Sequence, residues 1–94
     1  MNLKQAVEEI IDSFPKDVMF DSHVIINMIS KNQKYYLAYL KEYSGKDWNI
    51  NQFHGHIAKD IIGGLKEKVS PVTDNFISMN MFDIPSKNEL WKKI

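Results

Sequence analysis

Residues Asp17-Val18-Met19-Phe20-Asp21-Ser22-His23-Val24-Ile25 decide the fold. The stretch opens with a short extended piece, Asp17 to Phe20, rich in residues that favour strands. Asp21-Ser22 then offers a side-chain acceptor for the first free backbone N–H groups of a helix. A strand that turns directly into a helix must have partners elsewhere in the chain, because a single strand cannot stand alone. The rest of the sequence is therefore read for what lies on either side of this junction.

Upstream, Leu3, Ala6, Val7, Ile10, Ile11 and Phe14 recur at helical spacing and predict helix A over about 3–14. Asn2 and Gln5 stand at the two positions of a capping box, and Pro15 ends the element. Downstream, Val24, Ile25, Met28 and Ile29 form an apolar stripe that Tyr36, Tyr39, Leu40 and Tyr43 continue. The spacing predicts one helix B from about 22 to 43, closed by Ser44-Gly45. Helix C is expected over about 50–62, capped by Asn49 with Gln52 at the box position and stopped by Gly63-Gly64. Its buried stripe is Ile50, Phe53, Ile57 and Ile61, with Ala58 beside it.

The remainder, about 65–94, reads as β structure. Pro71 and Thr73-Asp74-Asn75 look like a turn, Phe76 to Met79 like a strand, and Asp83 to Asn88 like a second turn. Leu90-Trp91-Lys92-Lys93-Ile94 is the expected return strand. The reading is a single α+β domain over residues 1–94: three helices, a C-terminal β-hairpin, and a short strand before helix B that pairs with the hairpin. This is the element order of a winged helix.

Composition narrows the chemistry. The chain has 94 residues, no cysteine and a formal net charge of zero. One domain of this size buries roughly two-thirds of its unfolded surface. Disulfides, thiolate metal sites and a cysteine nucleophile are excluded. The start of the chain shows no apolar signal segment, and no apolar run is long enough to span a bilayer, so a cytoplasmic protein without membrane contact is expected. All twelve basic residues are lysines. Residues 1–30 carry two lysines against five acids, and residues 31–68 carry seven against four. A locally basic face in a neutral protein follows.

Three patches resemble a group of small, mostly uncharacterised bacterial winged-helix-like proteins: Phe20-Asp21-Ser22-His23, His54-Gly55-x-Ile57-Ala58-Lys59 and Leu90-Trp91-Lys92-Lys93. The resemblance implies the fold, with DNA or protein binding expected of winged helices in general. It brings no functional residue with it.

Helix C stands where a recognition helix would. At 100° per residue its outer face displays Gln52, Gly55, His56, Lys59 and Gly63, with Asn51 at the edge. Glutamine and asparagine can pair with adenine edges, lysine can meet phosphate, and glycine permits close approach. The same face would serve equally as a solvated surface or as a protein contact. Lys87, Lys92 and Lys93 in the expected wing would straddle a phosphate backbone or guard a strand edge. The absence of arginine and of net positive charge favours a protein partner, whereas the lysine excess around helices B and C favours DNA.

Other groups carry the plainer expectation. His54 and His56 point about 200° apart on a helix and cannot share a metal ion, so no metal site is expected, and His54 falls on the buried side. Gly55 inside a helix suggests close packing. The tyrosines of helix B are expected in or near the core, with Tyr35 the one projecting outward. Trp91 is the expected core anchor for Phe14, Phe53 and Phe76. No phosphate loop or nucleophile elbow appears, and Glu8-Glu9 falls on a solvated helix face, so the chain is read as non-catalytic, without a cofactor or small-molecule substrate. The leading expectation is a DNA-binding regulatory module working through helix C and the wing. The rival is a protein–protein module, such as an inhibitor of the anti-CRISPR kind encoded by a phage or mobile element. A homodimer is common in the winged-helix class, although no dimerisation heptad is visible.

Overall fold

The computed structural model describes all residues, Met1–Ile94. The chain is α+β, with helices α1 (Leu3–Asp12), α2 (Ser22–Ser30), α3 (Gln33–Ser44) and α4 (Ile50–His56). A π-helical turn, Ile57–Ile62, continues α4. Strands β1 (Met19–Asp21), β2 (Val69–Met79) and β3 (Pro85–Lys93) form one antiparallel sheet in the order β1-β3-β2. No helix is long and apolar enough to cross a membrane.

The caps read from sequence form as expected. Asn2 and Gln5 close a reciprocal capping box on α1, and Asn49 and Gln52 close one on α4. The Asp21 carboxylate accepts the Val24 N–H at 2.8 Å and starts α2 directly at the end of β1. Each satisfies a donor that the first helical turn leaves free.

The helix count differs from three. Helix B is two helices, because Asn32 interrupts the run. Its side chain accepts the backbone N–H groups of Lys34 and Tyr35 and starts a new helix with only two residues between it and the old one. The change of axis alters which tyrosines are inside. Tyr39 is buried and Tyr35 packs partly against the core, whereas Tyr36, Leu37 and Leu40 are exposed. The expected outward position of Tyr35 is thereby corrected.

Helix C also departs from a uniform α-helix. The Gly63 N–H donates to the Ala58 carbonyl five residues back, the wider spacing of a π turn. The packing that selects it is visible: Ile57, Ala58, Ile61 and Ile62 are all buried. Each fully buried aliphatic side chain contributes roughly 1.5–3 kcal/mol, more than the strain of one widened turn.

In the sheet, Phe20 stands opposite Trp91 and Ser78 opposite Ser86. The expected turn at Pro71 and Thr73–Asn75 is instead strand. Two irregularities, between Pro71 and Thr73 and between Thr73 and Phe76, each absorb an extra β2 residue as a bulge. The chain reverses at Asn80–Ile84, earlier than the expected 83–88. The Asn80 side chain accepts the N–H groups of Phe82 and Ile84, and Asp83 adopts a left-handed φ of 59°. Trp91 is buried as expected, with Phe53 and Phe20, but Phe76 lies exposed outside that cluster. The Lys93 ammonium donates to the carbonyls of Ile11 and Phe14 and so caps the C-terminal end of α1.

Candidate functional site: a cleft between α4 and the hairpin

A cleft of about 670 Å³ opens between α4, the N-terminal half of α2 and the β2–β3 hairpin. Asn51, His54, Gly55 and Lys59 form one wall, Met81, Phe82 and Ile84 the other, and Ser22 and His23 the base.

The base is a hydrogen-bonded network built on Asn88. Its side-chain oxygen accepts the Ser22 hydroxyl at 2.9 Å and the His23 N–H at 3.1 Å. Its amide nitrogen donates to the Phe76 carbonyl at 3.0 Å. His23 lies between two hydroxyls, with Nδ1 at 2.7 Å from Ser78 and Nε2 at 3.2 Å from Ser86. Ser22 and Asn88 are buried, so these bonds replace lost water and hold the hairpin to α2. Sequence reading missed the network. Its side chains are three serines, one asparagine and one histidine, scattered from 22 to 88, and only the fold joins them.

His54 occupies the α4 wall. Its Nε2 is 2.7 Å from the Tyr39 hydroxyl, as fits the hydrogen-bonded inner position expected for it. Burial lowers the His54 pKa below the ordinary 6.5, and the nearby His23 lowers it further. Burial pushes the Tyr39 hydroxyl up to about 12, with Tyr36 and Tyr43 adding to the effect.

The residues singled out on helix C separate into two groups. Asn51 faces the cleft, while Gln52 and His56 lie in a shallow depression on the other side. Gly55 and Lys59 form the ridge between and border both. The Gln52 side-chain oxygen is occupied by the Asn49 N–H at 3.0 Å, so its amide cannot offer both groups to a base edge. His56 bonds through Nδ1 to Asp60 at 2.7 Å and meets the edge of Trp48. Trp48 in turn carries the Lys46 ammonium over its ring at 5.0 Å. Gly55 is not closely packed: a methyl group there would meet nothing within 4 Å, contrary to the expectation from sequence.

Of the hairpin lysines only Lys87 borders the cleft. Lys87 lies on β3 between Ser86 and Asn88 and is one of the residues that line the cleft. Lys92 stands at the far end of β3, with its ammonium 3.5 Å from Asp17. Lys93 is committed to α1. The hairpin tip itself carries Met81, Phe82 and Ile84, apolar residues that a turn-former reading passed over.

No three His, Cys, Asp or Glu side chains gather as a metal site would require. The chain matches no protein-family model, no curated protein and no solved structure.

Proposed function

We propose that this chain is a winged-helix-like module that binds another protein, docking through the tip of its hairpin and the adjoining cleft. Helix, strand, helices and hairpin, with the last strand in the middle of the sheet, support the winged-helix-like assignment; α3 is then an added helix.

The apolar tip carries the reading. Phe82 is 50% and Ile84 56% exposed, with Asp83 between them. A wing that follows a phosphate backbone needs cations at this place. This tip instead offers two large side chains and a negative charge, the kind of anchors that fill pockets on a protein partner. The cleft beside it supplies Asn51, His54 and Lys59 as polar contacts. The neutral net charge and absence of arginine point the same way. The DNA reading keeps support from the exposed Asn51 and Lys59 and from the lysine excess of residues 31–68.

The test compares two variants in the same retention assay, using nuclease-treated lysate of cells that express the chain naturally and, separately, duplex DNA. A protein retained by the native chain, insensitive to moderate salt and lost with Phe82→Asp, is the expected result. Retention of DNA that weakens steeply with salt and disappears with Lys59→Glu, while Phe82→Asp leaves it intact, would replace the protein-binding reading.

A further inference from the structure

The indole N–H of Trp91 is the only buried side-chain nitrogen left without a hydrogen-bond partner. The residue is 7% exposed. An indole nitrogen can only donate, and a donor left unmet inside a protein is costly. Native proteins keep few such groups, and each calls for a physical reason. The core residues Phe20 and Phe53 share the Trp91 cluster, and neither side chain carries an acceptor.

The same ring helps to wall a recess of about 520 Å³ at the end of β3 remote from the hairpin tip. Val69, Pro71 and Ile94 give the recess an apolar lining, and Ser70 and Lys66 stand among them. Lys66 makes no ion pair. A recess of this size, mostly apolar with a few polar groups, has the character of a small-molecule pocket. We infer that it binds a small carboxylate with an apolar body, the carboxylate accepting the Trp91 N–H and facing the Lys66 ammonium.

Each part of that ligand answers one feature of the recess. The unmet N–H requires an acceptor, which a guest seated against the indole can supply. The single unpaired lysine matches a single negative charge, as on a carboxylate, and falls short of a phosphate dianion. The apolar walls and the indole ring favour a hydrocarbon body over a bare ion, because they gain by leaving water. The recess and the cleft beside the hairpin tip share no residue, so this inference does not depend on the partner proposed above.

Nuclear magnetic resonance of the isotope-labelled chain tests this, with octanoate as the probe. The chain has two tryptophans and therefore two indole N–H signals, and Trp48→Phe assigns them. Octanoate at millimolar concentration is expected to move the Trp91 signal downfield along a saturable curve, with the Trp48 signal unmoved. Inorganic phosphate at the same concentration should leave both in place. Lys66→Gln, a change at an exposed side chain, should keep the rest of the spectrum and weaken octanoate binding roughly threefold to fivefold, the worth of one exposed ion pair. Four results would overturn the inference: a Trp91 signal that does not respond to octanoate, one that moves together with the Trp48 signal, one that moves as far with phosphate, or one that titrates identically in Lys66→Gln.

Discussion

The hydroxyl of Tyr39 lies 2.7 Å from Nε2 of His54, and this bond is the polar link between α3 and α4 beside an otherwise aromatic contact with Phe53. It ties the acid–base state of one side chain to the seating of a helix.

The first prediction concerns pH. The folded chain holds the His54 pKa below 6.5, so the unfolded chain takes up a proton first as pH falls. Stability from this group is therefore complete above about 6.5, declines as pH drops through that value, and levels off below the lowered folded pKa. Urea midpoints measured from neutral pH downward should fall, and His54→Gln should flatten that part of the profile. Tyr39→Phe should cost about 1 kcal/mol at neutral pH, the net value of one hydrogen bond.

Asn88 is expected to be the most sensitive polar residue. Asn88→Ala removes the partner of Ser22, of the His23 N–H and of the Phe76 carbonyl together. The loss should approach roughly 3 kcal/mol in chemical denaturation, since buried groups are left without bonds. Hydrogen exchange should quicken in Phe76–Ser86 more than in α1.

Two glycines should respond in opposite directions. Gly55→Ala adds a methyl group in open space within a helix and should stabilise by roughly 0.5–1 kcal/mol. Gly63→Ala would drive its methyl group into the Lys59 carbonyl oxygen and should destabilise by about 1–3 kcal/mol. Thermal unfolding of the two variants against the native chain checks both signs.

Lys93→Met should lower stability by about 1–2 kcal/mol, because it withdraws an ammonium from two carbonyls at the end of α1. Lys93→Arg should recover part of the loss. Midpoints of thermal unfolding give the comparison.

How much was legible follows from the range of each interaction. Local signals were read correctly: the boxes at Asn2 and Asn49, the cap at Asp21, the strand before it and the stop at Gly63. Each depends on neighbours within four or five residues. The break at Asn32 carried a local signal too, an N-cap residue ahead of Gln33, but the apolar stripe ran across it and dominated. The π turn had no signal, because its wider register comes from fitting Ile57–Ile62 against a core assembled from distant segments. Pro71 and Thr73–Asn75 were misread since bulges and turns recruit the same residue types. The cleft was legible only on its helical wall. Its polar base joins residues up to 66 apart in the chain, and its apolar tip hid among turn formers.

The position of β3 between β1 and β2 has a consequence for how the molecule is made. β1 and β2 do not pair with each other, so each waits for β3, which follows both in the chain. During synthesis the helices can collapse early, while Phe20 and the Val69–Thr73 half of β2 stay unmatched until Leu90–Lys93 emerge. β3 thus acts as a zipper for the other two strands, and a nascent chain stalled short of it would offer two bare strands to its neighbours.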